Sequence, residues 1–221
     1  MSRKLKTGRR APQSGRTTSA VVLLHGYGAD GADLLDLADP LGPHMPDTLF
    51  LAPDAPEPCA ASPMGRQWFP IPWLDGSSEE AARQGMAAAA ADLNAFLDEL
   101  LAAEGLTPDR LILLGFSQGT MVALEVAPRR DTAVAGVVAF SGRLVEPDRL
   151  AAEARVKPPV LLLHGDADPV VPFADMQLAG NALLAAGFEV YGHVMRGTPH
   201  GIAPDGLSVA LGFMRQRLRL G

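Results

Sequence analysis

"RLILLGFSQGTMVALEVAP", residues 110–128, sets a serine between two glycines where an apolar run gives way to a helical pattern. Leu111 to Leu114 form a short continuous apolar run, as expected of a strand buried on both faces. Met121, Leu124 and Val126 follow at near-helical spacing, and the pattern stops at Pro128. A strand that turns sharply into a helix holds its central residue in a strained conformation. Small residues two before and two after relieve the crowding, and the Ser117 hydroxyl then projects from the sheet edge. This is the G-x-S-x-G spacing of a nucleophile elbow. A bare pentapeptide also fits an ordinary glycine-flanked turn, so the strand-to-helix context and the partners elsewhere in the chain decide the reading.

Outward from this corner the same alternation repeats. Apolar runs predict strands near Ala20–His25, Thr48–Ala52, Leu111–Gly115, Val134–Ser141, Val160–His164 and Glu189–Met195. A long alanine-rich helix is predicted from Ser78 to Glu104, with Ser77 and Glu80 at the S-x-x-E spacing of a capping box and Gly105 at its stop. A second helix is predicted from Pro172 to Ala186, ending at Gly187. A third runs from about Asp205 to Arg219, with Leu207, Leu211, Met214 and Leu218 as its apolar face. Strands alternating with helices imply an α/β fold, a mostly parallel sheet covered on both faces. The 221 residues fit a single domain spanning 1–221. From Pro53 to Ser78 the chain is proline-rich and aperiodic and carries both tryptophans, which predicts a wall beside a cleft.

Composition narrows the function class. Apolar residues make up 48% and charged residues 20%, as in globular proteins, and the net charge of −6 gives no footprint for nucleic acid. Arg3, Lys4, Lys6, Arg9, Arg10 and Arg16 cluster at the start, yet only Ala20 to Leu24 follow as an apolar run, too short for a signal sequence. The cluster reads as a solvated edge segment. No run approaches the ~20 apolar residues of a membrane span. The single cysteine, Cys59, excludes an intrachain disulfide and a cysteine-rich metal site. A cytoplasmic location is the default expectation.

A serine hydroxyl needs a base, and the base needs an orienting group. Of five histidines, His25 and His164 lie in L-H-G at strand ends, where an imidazole serves as a buried hydrogen-bonding spacer. His44 sits in a proline-flanked loop and His193 within a strand pattern. His200, in "GTPHGIAPDG", follows the last strand and should emerge at the edge where Ser117 sits. The acid candidates are Asp166 and Asp168 in "HGDADPVVP". Ser117, then an aspartate, then His200 is the chain order of α/β-hydrolases. Oxyanion donors are expected from the backbone N–H groups of Gln118 and of Tyr27, the latter in a turn that Gly26 and Gly28 permit.

Taken in order, L-H-G-x-G, G-F-S-Q-G, H-G-D-x-D-P-x-V-P and P-H-G, from about Ala20 to Leu218, resemble the phospholipase/carboxylesterase family, which includes bacterial carboxylesterases and acyl-protein thioesterases. The resemblance implies the α/β-hydrolase fold without a separate cap domain. It selects Asp168 as the acid, giving a triad of Ser117, Asp168 and His200 with Tyr27 and Gln118 at the oxyanion positions. It matches Trp68 and Phe69 to a W-F pair beside the acyl site, and implies no cofactor, no metal and a frequently dimeric assembly. Thr120 and Pro70 depart from the usual pattern. The function so implied is serine carboxylesterase, releasing short- to medium-chain acyl groups through an acyl-enzyme. Acyl-protein thioesterase or lysophospholipase activity on the same triad is the alternative. A metal hydrolase built on His25, Asp30, His164, Asp166 and Asp168 lacks H-E-x-x-H or a clustered histidine pair. A non-catalytic binding protein would be expected to have lost a triad member.

Overall fold

The computed structural model describes residues 2–59 and 61–220. In chain order the strands are β1 Thr7–Arg10, β2 Ser19–Leu24, β3 Thr48–Pro53, β4 Glu57–Cys59, β5 Ser62–Gln67, β6 Leu111–Phe116, β7 Gly136–Phe140, β8 Val160–Gly165 and β9 Val190–Met195. The helices are α1 Gly31–Leu35, α2 Ala38–Leu41, α3 Pro72–Asp75, α4 Glu79–Glu104, α5 Gln118–Val126, α6 Pro147–Glu153, α7 Ala174–Ala185 and α8 Pro204–Arg217. Seven strands form one sheet in the order β1-β3-β2-β6-β7-β8-β9, and β4 and β5 pair as a separate hairpin. Within the sheet only β1 runs antiparallel to its neighbour, pairing Thr7 with Pro53 and Arg10 with Phe50. This is the mostly parallel α/β arrangement expected from the alternation.

Because side chains alternate along a strand, consecutive residues of each buried run sort into two cores. Leu111 and Leu113 of β6 face a cluster with Leu93 and Leu97 of α4, Met121 of α5, Leu150 of α6 and Leu183 of α7. Ile112 and Leu114 face the opposite cluster, with Leu34 of α1, Leu41 of α2, and Phe213 and Met214 of α8. A strand with helices on both faces has no polar side, which is why its sequence reads as an unbroken apolar run.

Four expectations need correction. Helix α4 is capped by Ser78, whose hydroxyl accepts the Ala81 N–H, and not by Ser77. The Ser77 N–H instead donates to Asp75 Oδ1 at 2.9 Å, so that residue belongs to the preceding turn. The aperiodic stretch after Pro53 contains the β4–β5 hairpin and α3. The basic start of the chain is not simply solvated. It contains edge strand β1, and Arg3, Arg9 and Arg16 reach Asp92, Glu104 and Asp47, each at 2.7–2.8 Å. Along α8 and its C-cap the buried stripe is Ala210, Phe213, Met214 and Leu218, with Leu207 and Leu211 half-buried beside it.

Candidate active site

The chemistry-bearing segments meet at the carboxyl ends of the parallel strands, where ligands of open α/β sheets bind. Ser117 stands between β6 and α5 with φ 53° and ψ −114°, a region L-residues avoid and one that costs on the order of 1–3 kcal/mol. The flanking glycines make this corner possible. A methyl group added at Gly119 would lie 1.9 Å from the Leu24 carbonyl oxygen, and one at Gly115 would lie 2.5 Å from the Thr120 nitrogen. The Ser117 N–H donates to Phe140 O at 2.9 Å, which fastens the corner to β7. Thr120 adds to this fastening: its hydroxyl lies 2.8 Å from both Gly115 O and Phe140 O. Ser117 is 8% exposed.

His200 and Asp168 come from different loops and meet at 2.7 Å, Nδ1 to Oδ2. The contact is built into the backbone. Gly165, at the end of β8, leaves so little room that an added methyl would lie 2.1 Å from Thr198 O. Ala167 N–H donates to that same oxygen at 3.2 Å, and Asp166 Oδ1 accepts the Gly197 N–H at 2.5 Å. Asp166 thus ties the two loops, while the Asp168 side chain, fully shielded from solvent, points at the imidazole. Burial opposes the ionised form of Asp168. The His200 imidazole and the N–H groups of Val171 and Val170 outweigh it and hold the carboxyl below its usual range. The Phe116 ring packs on His200 with centroids 4.8 Å apart, fixing the other side of the imidazole.

The L-H-G-Y-G segment after β2 lies against the start of α5, as the crowding between Gly119 and Leu24 requires. His25 is fully buried and acts as the spacer expected of it. Its Nε2 accepts the Ala55 N–H at 2.9 Å, so the ring proton sits on Nδ1 and is given to Gly26 O at 2.8 Å. Burial, against weaker help from the Gly26 carbonyl, keeps this imidazole below its ordinary range and neutral. The N–H groups of Gly28 and Ala29 are committed to Arg66 O and Gly26 O. As the first residue of α5, Gln118 has a backbone N–H with no intrahelical acceptor. The phenol of Tyr27 is half-buried and is pushed up in pKa by burial, then by Cys59 and Asp75.

The structure changes the reading of the aromatic loop. Trp68, expected to line the acyl site, is 0% exposed and presents no surface to a ligand. It is held underneath the site: its indole N–H donates to His25 O at 3.0 Å, and its backbone N–H donates to Gln118 Oε1 at 2.8 Å. The Gln118 amide nitrogen donates to Phe69 O at 2.7 Å. A side chain that sequence reasoning had valued only for its backbone therefore clamps the loop to the elbow. Trp73, not Trp68, is the exposed aromatic, with the Arg143 guanidinium 4.8 Å above its ring. Phe69, Pro72, Trp73, Met86 and Val145 give the apolar surface of a cavity of about 150 Å³ that Glu79, Arg83, Glu125, Glu146 and Arg149 also line.

Two expected bystanders stay apart from the cluster. His44 lies in a short helical turn after α2, and His193 bonds Asp205 at 2.7 Å. The candidate metal set does not assemble either. Both nitrogens of His25 are used, Asp30 caps α1, and among the described residues no three His, Cys, Asp or Glu side chains are grouped to hold an ion. Among the described residues no helix is long and apolar enough to cross a membrane.

Residues 11–218 match the family model described as Phospholipase/Carboxylesterase. The chain is 26% identical over 195 residues to "Esterase YpfH" of Escherichia coli (strain K12), covering 88% of this chain and 81% of that one. It is 28% identical over 211 residues to "Acyl-protein thioesterase 1" of Saccharomyces cerevisiae, covering 90% and 92%. Among solved structures, esterase PE8 superposes with a TM-score of 0.92 at 43% identity, over 97% of this chain and 100% of that one.

Proposed function

The chain belongs to the phospholipase/carboxylesterase family, whose α/β-hydrolase fold it shares, and on that premise we propose that it is a serine carboxylesterase acting through an acyl-enzyme. The observation that carries this reading is the 2.7 Å bond from His200 Nδ1 to a buried, ionised Asp168, placed at the sheet edge that also holds the strained Ser117. With Nδ1 donating to Asp168, Nε2 of the neutral imidazole is the free lone pair. It takes the Ser117 proton as the hydroxyl oxygen attacks the ester carbonyl. The carbonyl oxygen gains charge in the tetrahedral intermediate and is met by the N–H groups of Gln118 and Tyr27. The imidazolium then gives its proton to the leaving alcohol. Water repeats the sequence on the acyl-enzyme, releasing the acid and restoring Ser117.

The substrate class is an ester of small or moderate acyl size. Gln118, next to Ser117, clamps the loop that carries Trp68 and Phe69, and a fixed wall beside the serine leaves space for a short or medium chain. Each buried methylene adds about 0.8 kcal/mol until such a space is full. The acyl-protein thioesterase relatives support a thioester substrate for the same machinery, because the acyl-enzyme is common to both. The test is turnover of matched p-nitrophenyl esters and thioesters of increasing acyl length by the parent protein and Ser117→Ala. The expected result is a maximum at short to medium esters and a loss on the order of 10⁴ or more in kcat for the variant. Activity still climbing at palmitoyl length would overturn the size assignment, and undiminished turnover by Ser117→Ala would overturn the mechanism.

A further inference from the structure

Asp168 faces two imidazoles. The second belongs to His164, four residues earlier at the end of β8, whose side chain is 2% exposed and whose Nε2 lies 3.3 Å from Asp168 Oδ2. That nitrogen also lies 3.0 Å from Val171 O, which can only accept, so Nε2 carries the proton. The same Val171 donates its N–H to Asp168 Oδ1 at 2.9 Å. His164 thus binds the Val171 carbonyl and the Val171 amide binds one carboxylate oxygen, while the other oxygen lies 3.3 Å from the same imidazole nitrogen. The edge of the Phe173 ring flanks the imidazole, with centroids 6.0 Å apart.

We propose that His164 is a positioning residue for the acid–base pair: it holds Asp168 Oδ2 on the line to His200 and shares the charge of that oxygen. The proposal rests on the reading of Asp168 and His200 given above. A carboxylate oxygen with one donor pulls more strongly on that donor than an oxygen with two. The His164 N–H is given to Val171 O, and its positive end lies close enough to Oδ2, 3.3 Å from the nitrogen, to act on the charge of that oxygen as well. It tempers the basicity that Asp168 confers on His200, and it stops the carboxylate from turning about its last bond. Other charged groups on the surrounding segments have partners of their own. Asp166 accepts from Gly197, Arg143 pairs with Asp175 at 2.6 Å, His193 pairs with Asp205, and Arg196 is exposed. The side chains nearest Oδ2 are therefore the two imidazoles.

The test compares the parent protein with His164→Leu, which removes the donor, and His164→Gln, which restores an N–H at similar reach. Rates are normalised to active sites titrated with a phosphonate, so misfolded protein does not count. In His164→Leu the expected kcat falls about 10- to 100-fold, by analogy with the loss of groups that orient metal ligands. KM should stay within a factor of about two, and the midpoint of the acid limb of kcat/KM should move to higher pH. His164→Gln should return the midpoint to the parent value and recover part of kcat. If His164→Leu does not fold, His164→Asn carries the test, since its shorter amide cannot reach Oδ2 and should show the same upward move. An acid limb present in all variants at one unchanged midpoint overturns the inference and leaves the triad reading standing. A parent profile with no acid limb removes His200 as base, and this inference with it.

Discussion

Replacing Gln118 by glutamate exchanges one side-chain nitrogen for oxygen, and the fold makes that exchange mild in acid and severe at neutral pH. The Gln118 amide is fully buried, with Oε1 accepting from Trp68 N–H and Nε2 donating to Phe69 O at 2.7 Å. Its orientation is forced, because a backbone N–H only donates and a carbonyl only accepts. In Gln118→Glu the first bond survives, but the second becomes a contact between two acceptors unless the carboxyl is protonated. Burial and the facing carbonyl therefore raise the pKa of the new group in the folded state. A rise of about three units, within the range for buried carboxyls, corresponds to about 4 kcal/mol. Stability carried by a group with a raised folded pKa is fully present below the unfolded value and is lost as pH rises toward the folded value. With an unfolded pKa near 4.3, the penalty relative to the parent protein works out at about 1 kcal/mol at pH 5 and about 4 kcal/mol at pH 8. Urea unfolding of both proteins at the two pH values measures this difference directly. Equal penalties at pH 5 and pH 8, or a larger one in acid, would refute the assigned hydrogen bonds.

Asp168→Asn should lower kcat by about 10⁴, because the amide favours the wrong imidazole tautomer, whereas Asp166→Asn keeps an acceptor for Gly197 N–H and should stay near the parent rate. Because the folded pKa of Asp168 is depressed, its contribution to stability is present above the ordinary carboxyl range and is lost as pH falls through the folded value; acid unfolding of Asp168→Asn should lack that component. Tyr27→Phe should retain most of kcat, while Tyr27→Pro, which removes the N–H, should lose about 10²–10³, checked by steady-state rates on one ester. Gly119→Ala would place a methyl 1.9 Å from Leu24 O, so thermal unfolding should report a loss of roughly 3 kcal/mol or more, at or beyond the upper end for ordinary substitutions.

What could be read from the sequence follows from burial. The five strands β2, β3, β6, β7 and β8 are legible as buried apolar runs, and the elbow as two glycines around Ser117, because both patterns have a steric cause that leaves residues no choice; β9, a half-exposed edge, is legible only from its valines, tyrosine and methionine. Strand β1, "TGRR", was not legible: it is a half-exposed edge whose side chains meet water and carboxylates, so it carries no apolar signature. The hairpin Glu57–Cys59 with Ser62–Gln67 escaped for a similar reason, its residues being largely polar, small or proline. Ser77 and Ser78 offer equal caps by type, and only the neighbouring Asp75 decides between them. Trp68 misled because an aromatic in a loop signals burial or binding alike, and the choice depends on His25 and Gln118, both distant in sequence. The paired L-H-G motifs were visible at His25 and His164, and the structure gives each a loop to organise.

The measurement that bears most directly on the mechanism is mass spectrometry of protein mixed with p-nitrophenyl butyrate and quenched in acid within the first turnover. One butyryl group per chain is expected, carried by the peptide that contains Ser117 and absent from Ser117→Ala. An acyl group on any other residue, or undiminished turnover by Ser117→Ala, would contradict it.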